Sequence, residues 1–153
     1  MSELQVETER EVEKMKVEFE SRSCNESFAR VVVAAFMARM DPTVEEVDDV
    51  KTAVSEAVTN AIIHGYDGQV GSIEIRGEIT DNTLRISIHD DGTGIEDIKQ
   101  AMEPLYTGKS ASERSGMGFS FMEAFMDEVE VLSKVGEGTT VVMKKTLGRR
   151  PYE

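Results

Sequence analysis

Apolar and polar positions along the chain alternate with two different periods, and the switches between them mark out its elements. In Val17-Glu18-Phe19-Glu20 every second residue is apolar, which predicts a strand with one buried face. From Asn25 to Met40 the period lengthens to that of a helix. Phe28, Val31, Val32, Ala35 and Phe36 form its expected apolar stripe, Asn25 its N-cap and Asp41-Pro42 its break. Thr43-Val44-Glu45-Glu46 has the form of a capping box. It opens a second helix with Val47, Val50, Val54, Val58, Ala61 and Ile62 inward, and Gly65 is placed to end it. Alternation returns in Ile73, Ile75 and Ile79 and in Leu84, Ile86 and Ile88, with a turn at Asp81-Asn82 between them. A short helical segment is expected from Ile95 to Met102. Glu103 to Gly118, with Pro104, three glycines and several hydroxyl residues, reads as a mobile loop. Phe119, Met122, Phe125 and Met126 predict a last helix, and Val129 with Val131 and Val141 with Met143 two closing strands. Strands and helices mix without a strict βαβ alternation. The expected fold class is therefore α+β, a two-layer sandwich with a mostly antiparallel sheet and helices on one face.

A length of 153 residues, 39% of them hydrophobic, suits one compact domain with its own core. The expected organisation is a flexible charged leader over 1–14, the domain over 15–148 and a short tail over 149–153. The single cysteine, Cys24, has no internal partner, which fits a reducing compartment. No run approaches the roughly 18–20 apolar residues of a membrane span, and the charged N-terminus has no apolar core of a secretory signal. These features point to the cytoplasm and away from a membrane. A net charge of −13 repels a phosphate backbone, so nucleic acid is not an expected direct partner, whereas a basic protein surface is attracted.

Three segments carry candidate chemistry. Glu56 and Asn60 stand four residues apart and share one helix face, with His64 a turn further on. The carboxylate can accept a proton from a nucleophile and the amide oxygen can ligate a magnesium ion. Taken alone, the same spacing describes an ordinary polar stripe, and His64 a polar helix terminus. Asp90-Asp91-Gly92-Thr93-Gly94 follows a strand. Its glycines let the backbone approach a planar ligand, and an aspartate there can accept from an exocyclic amine such as adenine's. It also has the composition of a plain turn. Gly108-Lys109-Ser110 through Arg114-Ser115-Gly116-Met117-Gly118 runs into a helix whose first amides favour phosphate, but it matches neither the P-loop nor the dinucleotide fingerprint. A surface loop is the ordinary alternative.

The order of the three is more specific than any one of them. A polar-faced helix, then Asp-x-Gly-x-Gly after a strand, then a loop closing on Gly-x-Gly resembles the N, G1 and G2 boxes of the GHKL superfamily, which includes gyrase, Hsp90, histidine kinases and MutL. Gly138-Thr139-Thr140 resembles the strand in which those proteins place a threonine near adenine. The runs 55–66, Asn25-Glu26-Ser27-Phe28-Ala29-Arg30 and 113–119 are similar to the SpoIIAB family of sporulation anti-sigma factors and serine kinases. They are closer to it than to the general-stress RsbW family, and the similarity extends from Met15 to Leu147.

The resemblance implies the GHKL (Bergerat) ATP-binding fold, with ATP and Mg²⁺ as cofactors. It implies a protein that sequesters a sigma factor and phosphorylates a serine of a small anti-anti-sigma protein, and that forms a homodimer, for which the strand at Val17 to Phe19 offers an edge. Carried onto this chain, Glu56 would be the base and Asn60 the magnesium ligand. Asp90 would read adenine, with Gly92 and Gly94 allowing close approach and Thr139 nearby. Gly116 and Gly118 would hold the phosphates with Thr107 and Lys109 from the lid, and Arg30, Glu113 and Arg114 would meet protein partners. Phosphoryl transfer depends mainly on positioning and charge neutralisation, so this small set suffices. A sensor histidine kinase would need a phosphoacceptor histidine on a helical hairpin, and a chemomechanical ATPase a transducer domain; neither is expected here. A non-catalytic, nucleotide-gated sigma-binding module and an RsbW-like stress kinase remain the alternatives.

Overall fold

The computed structural model describes residues 11–66, 69–103 and 118–148. Strands β1 (Val12–Glu20), β2 (Ser72–Thr80), β3 (Thr83–Asp90), β4 (Glu128–Lys134) and β5 (Gly138–Thr146) form one five-stranded sheet in the order β1-β2-β3-β5-β4. Every neighbouring pair is antiparallel. The helices are α1 (Asn25–Met37), α2 (Val44–Asn60), the short α3 (Ile98–Ala101) and α4 (Gly118–Phe125).

The alternation read from β2 and β3 explains the layering. Ile73, Ile75, Ile79, Leu84, Ile86 and Ile88 point inward and are buried, as are Val141 and Met143 on β5. Against them lie Ala29, Val33, Phe36 and Met37 of α1, Val50, Ala53, Val54, Ala57 and Val58 of α2, and Met122 of α4. Burying one such isoleucine or valine contributes about 1.5–3 kcal/mol, so this shared face supplies most of the driving force for folding. The gap in β2's isoleucine pattern has a packing cause: a Cβ at Gly77 would come within 2.7 Å of the Phe36 ring, which occupies that space. The other face of the sheet is polar, with Lys16, Glu74 and Arg76 linked at 3.5 Å and 2.6 Å.

The helix α2 begins as its residues dictate: Thr43 accepts from the Glu46 amide, and the Glu46 side chain accepts from the Thr43 amide. Three other expectations need correction. The helix α1 is rotated relative to its expected stripe: Ala29, Val33, Phe36 and Met37 are buried, while Phe28 and Val31 are 46% and 65% exposed. Almost every position from Phe28 to Met37 is apolar, so the 3.6-residue period fits more than one face, and contact with the sheet decides between them. Cys24, not Asn25, holds the N-cap position. The Asn25 amide instead donates to the Glu20 carbonyl at 2.8 Å and ties the helix start to the end of β1. That helix ends at Met37, and a tighter 3₁₀ turn, Ala38–Met40, completes the expected span. The strand β1 starts at Val12, inside the expected leader, because Val12 to Lys14 continue the ladder with Glu78 to Thr80.

Candidate functional site

The last turn of α2 widens into a π-type turn, Ala61–Gly65, a distortion frequent at functional sites. It delivers Gly65 to the end of β3. There the Gly65 carbonyl accepts from the Thr93 amide at 2.7 Å, and a Cβ added to Gly92 would fall 1.8 Å from that same oxygen. No side chain fits at Gly92, so glycine is required by close approach and not merely by turn geometry. On the far side of the loop the Thr93 carbonyl accepts from the Gly136 amide at 2.9 Å. Gly94 has φ 79° and faces the Lys134 carbonyl. The Asp91-to-Ile95 loop is thus clamped between the end of α2 and the β4–β5 turn by backbone contacts.

Asp90 is only 5% exposed. The Gly92 amide donates to its Oδ1 at 2.9 Å. Burial pushes the Asp90 carboxyl above the ordinary carboxylate range, and the amides of Gly92 and Thr139 offset only part of that. A buried carboxylate with partial amide support is suited to accept a further donor. Thr139 lies directly across from Asp90 in the β3–β5 register and is itself buried.

Ser133 holds this corner together. Its hydroxyl donates to the Gly138 carbonyl at 3.0 Å. With its own proton so used, its oxygen accepts the Ile95 amide at 2.7 Å and the Thr139 hydroxyl at 2.7 Å. Tyr66 provides a second brace: its hydroxyl donates to the Ser72 carbonyl and accepts from the Asp91 amide at 2.7 Å. Burial raises its pKa, which keeps the hydroxyl protonated. Neither residue was given a role from sequence. The available signal for Ser133 was a polar residue at an inward position after Val129 and Val131 in an alternating strand.

Glu56 and Asn60 are half-buried on α2, two turns and one turn before Gly65, on the side away from the buried Ala57 and Val58. Asn60's side-chain amide has no hydrogen-bond partner among the described residues, so its oxygen is uncommitted and suits a cation that retains most of its water. His64 lies in the wide turn, with its carbonyl accepting from the Thr93 hydroxyl at 3.3 Å. The geometry therefore brings Asp90, Gly92, Gly94 and Thr139 together, and Glu56 and Asn60 stand on the helix whose terminal wide turn places Gly65 against that corner. Gly118 is buried at the start of α4. Thr107, Lys109, Glu113, Arg114 and Gly116 lie outside the described residues.

Arg30 sits elsewhere, on α1. It pairs with Glu26 at 3.5 Å and donates to the Ser27 hydroxyl at 3.2 Å. Glu26 also accepts the hydroxyl of Ser55, the neighbour of Glu56, so Arg30 belongs to the α1–α2 seam and not to the Asp90 corner.

The chain matches the histidine kinase-like ATPase domain family over residues 19–145. It is 61% identical to an anti-sigma F factor of Clostridium novyi over 135 residues, covering 88% of this chain and 94% of that one. It is 57% identical to an anti-sigma F factor of Caldanaerobacter subterraneus over the same shares of both chains. Among solved structures, it is similar to the RsbU and RsbW domains of a Mycobacterium tuberculosis protein. That TM-score is 0.67 at 20% identity, over 90% of this chain and 33% of the other. The histidine kinase domain of a blue-light activated kinase of Erythrobacter litoralis gives a TM-score of 0.54 at 27% identity, over 68% and 46% of the two chains.

Proposed function

The chain belongs to the anti-sigma F factor family of histidine kinase-like ATPases, and on that premise we propose that it binds a sporulation sigma factor in its ATP-loaded state and phosphorylates a serine of that factor's protein antagonist. The observation that carries the nucleotide part is the buried Asp90, held by the Gly92 amide beside Thr139 in a loop already clamped in place. A recess whose acceptor is a desolvated carboxylate favours a planar ligand with an exocyclic amine, as adenine has, over one presenting a carbonyl there.

The α2 stripe supports the transfer chemistry. Glu56 takes the role of base, accepting the proton of the substrate serine hydroxyl as its oxygen approaches the γ-phosphorus. Asn60 offers its uncommitted oxygen to Mg²⁺, which neutralises phosphate charge when bound. Gly118 opens α4, and its position at a helix start supports a phosphate role shared with Gly116, Thr107 and Lys109. Arg30, with Glu113 and Arg114, is assigned to the protein partners. The outer edge of β1, unpaired among the described residues and with half-buried Val17 and Phe19, is assigned to a homodimer contact, and the domain is taken to act in the cytoplasm.

Incubation with γ-labelled ATP, Mg²⁺ and an anti-anti-sigma protein tests the reading. Label on a serine of that protein, dependent on Glu56, is the expected result. Sigma binding that depends on ATP but is accompanied by no transfer would make the chain a nucleotide-gated binding module instead.

A further inference from the structure

On the polar face of the sheet, across from the nucleotide corner, three side chains form a continuous hydrogen-bonded chain. His89 Nε2 lies 2.7 Å from Asp91 Oδ1, and His89 Nδ1 lies 2.7 Å from Thr140 Oγ1. The chemistry of the groups assigns the protons. A carboxylate can only accept, so Nε2 carries the ring hydrogen; neutral Nδ1 is then bare and accepts the Thr140 hydroxyl. The order is hydroxyl, imidazole, carboxylate, that is, a nucleophile, its base and a group that orients the base.

The arrangement is supported from behind. Asp91 is fixed by its own amide, which donates to the Tyr66 hydroxyl at 2.7 Å, and Tyr66 is anchored on the Ser72 carbonyl. The competing carboxylate on this face, Glu74, lies opposite His89 in the β2–β3 register. It is occupied by Arg76 at 2.6 Å and Lys16 at 3.5 Å, and Arg76 holds it below its ordinary range. His89 is therefore left to Asp91. The site is reachable, with the His89 side chain 37% exposed and that of Asp91 73% exposed. Opposite Thr140, on the neighbouring strand β4, stands Leu132, 54% exposed, an apolar surface beside the threonine.

We propose that Thr140 is a nucleophilic acceptor for small activated acyl groups, with His89 as its general base and Asp91 orienting the imidazole. Thr140 Oγ1 attacks the acyl carbon while its proton passes to His89 Nδ1. The bond between that carbon and the leaving oxygen breaks, and the leaving group departs as an alcohol or phenol once protonated. The product is an O-acyl threonine whose acyl methyl rests against Leu132. The site faces the other side of the sheet from the Asp90 corner, because Thr139 and Asp90, the chain neighbours of Thr140 and Asp91, are buried towards the helices while His89 and Thr140 lie on the polar face.

The test treats the full chain with p-nitrophenyl acetate, follows nitrophenolate release and maps the acetylated peptide by mass spectrometry. Expected is a burst of about one equivalent with acetyl on Thr140, slowed about a hundredfold in His89→Gln, the usual worth of a positioned base. The burst should be absent in Thr140→Val, with ADP binding unchanged in both variants. If Thr140→Val loses ADP binding, the rate ratio between the parent and His89→Gln decides alone. Acetyl found only on lysines, or Thr140 acetylated as fast in His89→Gln as in the parent, overturns the proposal.

Discussion

The two ends of the candidate site are built differently. At the Asp90 end, backbone meets backbone: Gly92 against the Gly65 carbonyl, Gly94 against the Lys134 carbonyl, and Gly138, at φ 98°, against the Asp90 carbonyl. Hydrogen bonds from Thr93, Gly136 and Ile95 close the gaps. At the α2 end, where the proposed base and magnesium ligand lie, Glu56 and Asn60 stand on a single helix whose opposite side is packed in the core. The first end is over-determined, so fold and recognition fail together there. At the second, the side chains stand on a helix whose buried side packs in the core, so substitution on its polar stripe should disturb the fold less than substitution at the first.

Gly92→Ala should break the comparison at its rigid end and have the largest effect. A methyl 1.8 Å from the Gly65 oxygen forces the loop and the end of α2 apart. Overpacking of this kind costs about 1–3 kcal/mol of stability. Calorimetry should find no ADP binding, and the melting temperature should fall at the same time. Normal ADP affinity in this variant would mean that the clamp is not needed.

Glu56→Gln probes the other end. It should retain ADP affinity and the parent's melting temperature while slowing serine phosphorylation about 10²-fold or more. Undiminished transfer would leave Glu56 a structural role only.

Asp90→Asn separates recognition from stability within the rigid end. Losing a charged acceptor for the exocyclic amine should weaken ADP binding by roughly tenfold to a hundredfold, the range for hydrogen bonds to charged groups. Stability should move the other way. Burial raises Asp90's pKa in the fold, so the stability linked to its protonated form is present at low pH and lost as pH rises through the folded value. The asparagine carries no such charge, so this variant should be at least as stable as the parent near neutral pH. That advantage should vanish as the pH falls and Asp90 takes up its proton. Urea titrations across pH check the sign.

The smallest effects sharpen the boundary between the two ends. Ser133→Ala removes the bridge between Ile95, Gly138 and Thr139 and should cost about 1–3 kcal/mol, because the partners are left unsatisfied, with a several-fold loss of ADP affinity. His64→Ala should change ADP affinity by less than about twofold, since the turn uses the backbone carbonyl of His64 toward Thr93. Equal effects from the two variants would mean that the Ser133 bridge carries no special weight.

Much of this was legible before any coordinates. Period-two and period-3.6 patterns gave the strands, the helices and their single shared face, because burial on one side imposes those periods directly. The capping box at Thr43 and Glu46 was a local signal, and local chemistry decided it; Gly65 closes the wide turn after α2, but its lack of a side chain is required by the approach of Asp90 from a distant strand. The order of the Glu56–Asn60, Asp90–Gly94 and Gly108–Gly118 segments was also in the chain itself, and so was Thr139, which the register sets opposite Asp90. Other features depended on contacts between distant segments. The buried face of α1 was ambiguous in a run of consecutive apolar residues until the sheet selected Ala29, Val33 and Met37. The start of β1 at Val12 followed from the length of β2, whose Glu78 to Thr80 needed partners. Ser133 and Tyr66 became braces only because Ile95, Thr139, Asp91 and Ser72 converge on them. Likewise, nothing in their sequence positions joins Asp91 and His89 to Thr140. Strand pairing does, since an antiparallel register sets residues 51 apart side by side.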